Sequence, residues 1–384
     1  MLDTIVLTIN YGSYQVVDHD KFIPSTKSLF EGLKTQFGAR LYERYIQNPP
    51  KKGPYGPRLT ITARKTGNRL LIPLRIEFSI PKLIYGNNVS EVGESDFAAV
   101  VKTLRKRLKE MGVIVWTKNL ENAAVSVAHF SKNIPLSNGY TASFAVRELS
   151  KLDLTGKLDI NRTHYRNGKV LYAYCGSYEV VLYDKMYDVE RPEGRAIDKG
   201  RTLGQLTLLE SYRSGEIPEI LRLEVRFVKK QKLNSVLKEL GFKENPTFKE
   251  IFNKELSKAV LKRYWDFIGT ERYAFLLKSE FEPEDLLEAI FRKSKAEGRR
   301  IGAKNALILL GIEQFVRKHG VRPLKSQICA YCSKRTWDRL KPFLKILAKI
   351  FKDSKPFGFV KDVESALEAF KPFRVDNVNQ SKLK

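Results

Sequence analysis

Two spacings of apolar residues alternate along the chain, and each predicts a different element. In 58–80, "RLTITARKTGNRLLIPLRIEFSI" alternates apolar and polar residues on both sides of Gly67-Asn68, the pattern of a half-buried β-hairpin. In "ESDFAAVVKTLRKRLKEMG" the apolar positions are Phe97, Val100, Val101, Leu104, Leu108 and Met111, a helical spacing, with Ser95 suited to cap the start and Gly112 to close the end. By the same reading Thr4–Ile9 is a strand and Ser28–Ile46 a helix stopped by "NPPKKGP". "GVIVW" and "AAVSVAHFS" read as strands and "SNGYTASFAVRELSKL" as a helix.

The segment from Lys157 to Lys185 carries the most local information. "KLDINRTHYR", "KVLYAYC" and "YEVVLYDK" are separated by Asn167-Gly168 and Gly176-Ser177, which predicts a three-strand meander with two-residue turns. Such turns set the register and so the faces. One face collects Leu158, Ile160, Leu171, Ala173, Val180 and Leu182. The other collects Asp159, Tyr165, Tyr172, Tyr174, Glu179 and Tyr183. Tyr183 therefore points away from the apolar layer, either as an interface tyrosine or as a nucleophile.

"LRIEFSIPKL" (74–83) faintly echoes "LRLEVRFVKKQKL" (221–233): each is an apolar strand with a carboxylate at its centre, Glu77 or Glu224, and lysines just after. Beyond about Asn234 the spacing becomes helical. The expected class is α+β: an antiparallel-sheet domain over 1–245, a helical linker over 246–282, and a mostly α-helical basic domain over 283–384. Within the last, "GVRPLKSQI", "CAYC" and "SKRTWDRLKPFLKILAKI" have the outline of helix, tight turn and helix. Ser333 would cap the second helix, placing Lys334, Arg335, Thr336 and Arg339 at its amino end, where a recognition helix contacts DNA.

Composition narrows the function classes. The 384 residues suffice for two or three domains, and no apolar run approaches a membrane span, so a cytoplasmic protein without a membrane partner is expected. Lys and Arg number 69 against 43 Asp and Glu, a net +26, which points to a polyanionic partner and above all to nucleic acid. Three cysteines are too few for a disulfide framework. Cys329-Ala-Tyr-Cys332 is half of a zinc site without its other half, and reads otherwise as small residues in a helix–turn–helix core. No phosphate-cradling "GxxxxGK[ST]" is present.

A carboxylate inside an apolar strand needs a cation or an ion pair. For Asp159, Glu77 and Glu224 that is either a hard divalent ion, Mg²⁺ or Mn²⁺, or an adjacent arginine such as Arg75, Arg222 or Arg226. His129, on "VAHFSKN", shares a predicted face with Val125, Val127 and Ser131 and is either structural or a ligand.

Taken in order, "MLDTIVL", "LRIEFSIPKLIYGNNV", "VAHFSKNI", "KLDINRTHYRNG", "YEVVLYDK" and "LRLEVRF" resemble the gene II-type replication initiators of filamentous phages and their plasmid and prophage relatives. "ALILLGIEQFVRKHGVRPL" and "SKRTWDRL" resemble their carboxyl-terminal module. The resemblance implies a rolling-circle nickase: a metal-dependent enzyme that cuts one strand of origin DNA, single-stranded or locally melted, and later rejoins it. A host helicase and polymerase would be further partners. It also implies Tyr183 as nucleophile, with Lys185 stabilising charge, and places Glu77, Lys82 and Glu224 at motif positions. The wider nickase superfamily holds its metal with two histidines on one strand. Here "VAHF" supplies one, so a mixed site of His129, Glu224, Asp159 and Glu77 is expected, with Lys82 on the DNA side and Tyr187 in reserve. The alternative from another class is a non-catalytic, sequence-specific DNA-binding protein of the repressor type.

Overall fold

The computed structural model describes residues 1–32, 42–49, 53–66, 69–155, 162–166, 168–190, 210–215, 217–270, 273–296 and 301–375. The alternating runs form strands β1 (Leu2–Ile9), β2 (Tyr14–Val16), β3 (Tyr42–Gln47), β4 (Arg58–Thr66), β5 (Arg69–Leu71), β6 (Leu74–Ser79), β7 (Val113–Val115), β8 (Ala124–Pro135), β9 (Arg162–Arg166), β10 (Val170–Tyr174), β11 (Tyr178–Asp184) and β12 (Ile220–Phe227). Ten of them make one antiparallel sheet in the order β3-β4-β6-β1-β8-β12-β11-β10-β9, with β5 also on β4; β2 and β7 pair separately. With the helices this is an α+β fold.

The order has a symmetry that explains the sequence echo. From β1 the chain makes a ladder, β3-β4-β6, whose last strand returns beside β1; from β8 it makes another, β9-β10-β11-β12, whose last strand returns beside β8. "LRIEFS" and "LRLEVRF" are thus equivalent strands in two halves joined at the β1–β8 pair.

One face of the sheet is apolar. Ile5, Leu7, Ile76, Phe78, Phe130, Leu182, Leu223 and Val225 are fully or almost fully buried there and belong to one contiguous core. Helices Ala142–Ser150, Lys230–Glu239, Lys254–Gly269 and Gly358–Ala369 pack on that side. Because the core runs on through Leu309, Leu344 and Phe359, the carboxyl-terminal helices share it with the sheet. A second, small apolar cluster of Val89, Met186, Val189, Ile217, Ile220 and Phe373 covers one end of β11 and β12 on the opposite face.

Three local expectations change. Residues 42–47 form strand β3, not the end of a helix: Tyr45 is buried, and pairing with Leu59–Arg64 of β4 uses the β-forming Tyr and Ile side chains better than a solvated helix would. In the meander, β10 and β11 pair as the Gly176-Ser177 turn demands, with Tyr174 opposite Glu179 and Val170 opposite Tyr183. Between β9 and β10, however, Arg166 is opposite Val170, so residues 167–169 intervene and Gly168 takes a positive φ of 69°. That extra residue puts Tyr165 opposite Leu171 and His164 opposite Tyr172. Finally, the β1–β8 register skips Ser126, which turns Val125 into the core rather than beside His129.

Candidate active site

Three neighbouring strands bring polar residues to the face away from the helices. Across β11 and β12, Tyr183 is opposite Arg222, Val181 opposite Glu224, and Glu179 opposite Arg226. Across β12 and β8, Arg222 is opposite Asn133, Glu224 opposite Ser131, and Arg226 opposite His129. Period-two alternation does the rest: every second residue of "LRLEVRF" and of "HFSKN" shares this surface.

At its centre is a carboxylate. Arg226 binds Glu224 with two parallel bonds, Nε to Oε1 at 2.9 Å and Nη2 to Oε2 at 3.0 Å. The Tyr183 hydroxyl donates to the same Oε2 at 3.1 Å, and His129 Nδ1 lies 3.6 Å from Oε1. Beneath them the Arg222 guanidinium donates to Ser131 Oγ at 2.8 Å, to Asn133 Oδ1 at 3.1 Å and to the Asn88 carbonyl at 3.2 Å. It also sits 3.2 Å from Asp3 Oδ1 and 3.9 Å from Glu224 Oε2.

Burial sets the electrostatics. Desolvation alone would push the Glu224 carboxyl up, but Arg226, with help from His129 and Arg222, holds it well below the ordinary carboxylate range. Burial pushes the Tyr183 phenol well above its usual value; Arg222 opposes that rise and Glu224 adds to it. Tyr183 is 6% exposed. Lys185, the first residue of helix Lys185–Glu190, is buried with its ammonium 5.6 Å from the Tyr183 ring centre. Desolvation, reinforced by Arg222, lowers its pKa to about 8, so it is still cationic at neutral pH. Asp184 faces elsewhere: its carboxylate accepts from the Tyr187 backbone amide at 3.0 Å and pairs with Lys169 at 3.1 Å. "LYDK" therefore places Tyr183 on the polar face, gives Asp184 to the following helix as a cap, and tucks Lys185 behind the tyrosine.

Among the described residues the expected metal ligands do not all converge. Glu77 is exposed on β6, and three strand spacings, roughly 14 Å, separate β6 from β12. Its likeness to Glu224 reflects equivalence in the two halves of the sheet, not convergence on one site. Asp159 lies outside the described residues. Glu224 and His129 do adjoin, but Arg226 fills the carboxylate fork and Arg222 stands behind it. Two guanidiniums at that distance oppose a dication, so the residues as arranged do not fit Mg²⁺ or Mn²⁺. Among the described residues no three His, Cys, Asp or Glu side chains converge.

Lys82, expected on the DNA side, is buried beside the Tyr55 ring, 5.9 Å from its centre, and presents no surface to a ligand. Tyr172 and Tyr174 are half-buried next to the site, in rows with Val181 and Glu179. The two basic helices meet at Cys332-Ser333, so residues 329–331, expected in the turn, belong to the first helix. Helix Val321–Tyr331 ends at Cys332, and Ser333 caps helix Lys334–Ile350 by accepting from the Thr336 amide at 3.1 Å. Lys334, Arg335 and Arg339 are exposed, while Thr336 is half-buried with its hydroxyl against Ser333. Cys329 and Cys332 are free and exposed, so they do not fill a core between those helices. An open groove of about 750 Å³ runs between Ser150–Thr155 and the basic residues His319, Arg322 and Lys325; it contains none of Tyr183, Glu224 or Arg226.

Sequence reasoning passed over the lower layer. Asp3, Asn133 and Glu91 lie on separate segments, and only the pairing of β8 with β12 and the start of β1 assembles them. Glu91 accepts from Lys132 Nζ at 2.6 Å, the Asn133 amide at 2.5 Å and the Phe373 amide at 2.9 Å. Burial would raise its carboxyl, but Lys132 and these bonds bring it below the ordinary range. The continued alternation of "HFSKN" was the available signal for Asn133. No family model, curated protein or solved structure matches the chain.

Proposed function

We propose that the chain is a rolling-circle replication initiator that nicks one strand of origin DNA with Tyr183 and later reseals it. The carrying observation is the bond from the Tyr183 hydroxyl to Glu224, a nucleophile and a proton acceptor 3.1 Å apart, with Arg222, Arg226 and Lys185 around them. Attack by the phenol on phosphorus breaks the bond to the 3′ oxygen, leaving a 5′-phosphotyrosyl link and a 3′-hydroxyl that primes synthesis. The retained ester lets a later 3′-hydroxyl displace the tyrosine without ATP. Exposed Lys334, Arg335 and Arg339, with the net charge of +26, supply the phosphate contacts that hold the DNA.

A second reading, a non-catalytic DNA-binding protein acting through the basic helices, is favoured by the closure of the site. Tyr183 is almost fully covered and Glu224 is saturated by Arg226, as in a purely structural ion pair. The two separate in one experiment. The protein is incubated with single-stranded fragments tiled across the DNA that encodes it, and denaturing gels are examined for a covalent adduct. The nickase reading expects one adduct-forming fragment and none with Tyr183→Phe. No adduct with any fragment, or an equal amount from the variant, leaves the DNA-binding reading.

A further inference from the structure

Along β12 the polar face grades from closed to open. The side chain of Arg222 is 1% exposed, Glu224 2% and Arg226 24%. Arg226 thus lies at the open end of the row, opposite Glu179, and is bonded to the carboxylate that the proposed reaction needs. Its Nη2 and the Tyr183 hydroxyl share one atom, Glu224 Oε2. Its Nη1 reaches outward to Glu179 Oε2 at 3.3 Å, a carboxylate that is itself 30% exposed. While that bridge stands, the acceptor for the tyrosine proton is neutralised by a guanidinium, which holds the same oxygen as the hydroxyl.

Of the groups around Tyr183, Arg226 is the outermost cation, and its outer anchor is a half-exposed surface carboxylate. A planar guanidinium forms bidentate bonds to a phosphodiester as readily as to a carboxylate. Its inner partner, Glu224, keeps Tyr183, His129 and Arg222 nearby when Arg226 leaves. The site is therefore built so that an incoming phosphodiester exchanges with carboxylates for one arginine.

On the nickase reading, we propose that Arg226 is a substrate-released latch: the phosphodiester to be cut draws its guanidinium off Glu224 and Glu179, which frees Glu224 to take the phenolic proton. In the step that follows, the Tyr183 Oη–P bond forms as the proton passes to Glu224. The P–O3′ bond breaks, and the departing 3′ oxygen takes a proton from water. Arg226, now on the phosphate, and Arg222 behind it balance the charge that develops on the non-bridging oxygens. Arg226 would then be both a substrate ligand and the positioning residue that keeps the resting site inert.

The test compares rates of covalent adduct formation at subsaturating DNA, using the reactive fragment from the tiled set, for wild type, Glu179→Gln, Arg226→Lys and Arg226→Ala. Glu179→Gln removes only the outer anchor, so it is expected to react about threefold faster, the worth of an exposed ion pair. Arg226→Ala is expected to be about 100-fold slower, as for a lost transition-state donor, with Arg226→Lys between them. Circular dichroism separates misfolding of the alanine variant from a chemical effect, and the Glu179→Gln gain is a change that a merely structural contact does not give. An unchanged or slower Glu179→Gln, or a folded Arg226→Ala as fast as wild type, overturns the latch and leaves the nucleophile in place. Absence of adduct from wild type overturns the nickase reading, and the latch with it.

Discussion

Tyr183 and Glu224 are not register partners; they meet on the diagonal between β11 and β12, the hydroxyl donating to Oε2 at 3.1 Å while Arg222 stands directly opposite the tyrosine. The carboxylate belongs to Arg226 first and to the tyrosine second. Glu224→Gln should therefore cost more than Tyr183→Phe. The first takes the bidentate partner from Arg226, which keeps Glu179, and a nearby counter-charge from buried Arg222, which keeps Asp3, about 2–3 kcal/mol; the second removes one hydrogen bond, about 1 kcal/mol. Urea unfolding of both variants checks the order, and equal losses would mean that Arg226 is not seated on Glu224.

Glu77→Ala should leave adduct formation within about twofold of wild type and stability within about 0.5 kcal/mol, as for an exposed surface residue remote from the site. A loss of nicking with intact folding would return Glu77 to the active site.

The buried ammonium of Lys185 makes stability depend on alkaline pH. Its folded pKa, lowered to about 8 by burial, lies below the ordinary 10.5, so between those values the unfolded chain binds more protons. Stability then rises with pH across that window, by at most roughly 3 kcal/mol from this group. Lys185→Met should abolish that rise and be more stable than wild type below pH 8. The measurement is the difference between the two proteins in denaturant midpoints at pH 7 and pH 10; a constant difference would contradict it.

Removing the exposed charges of the basic helix acts on binding rather than chemistry. The triple variant Lys334→Ala, Arg335→Ala, Arg339→Ala should bind single- or double-stranded DNA more weakly at low salt. Its plot of log affinity against log salt should flatten by about 0.9 for each duplex phosphate that is no longer neutralised, or about 0.7 for single strands. An unchanged slope places the DNA elsewhere on the surface.

The elements that alternation specifies strongly were legible in the sequence. "LRLEVRF" put Arg222, Glu224 and Arg226 on one face, and the Gly176-Ser177 turn put Tyr183 and Glu179 on one face of the meander; only the β11–β12 pairing joins the two faces. What failed did so for identifiable reasons. The β9–β10 register differs by one residue from that of a two-residue turn, because turn length is not fixed by an Asn-Gly pair alone. Glu77 looked like Glu224 because the fold repeats, and periodicity carries no information about which copies meet. Lys82 was read as a surface charge, although the methylene stem of a lysine packs on apolar surface and its ammonium can meet an aromatic ring, as Lys82 meets Tyr55. Whether Glu224 faced a metal or an arginine was undecidable before the strands were paired. The alternatives differ by a side-chain rotamer, not by a pattern.

The stretch after helix Gly358–Ala369 returns to Glu91, where the Phe373 amide donates to a carboxylate that also holds the far end of β8 through the Asn133 amide. Asn133 in turn orients Arg222. A protein shortened after Ala369 would thus lose a clasp two bonds away from the tyrosine pocket, leaving a buried carboxylate one donor short at about 1–3 kcal/mol. Trimming that end to isolate the sheet would change the very surface it was meant to preserve.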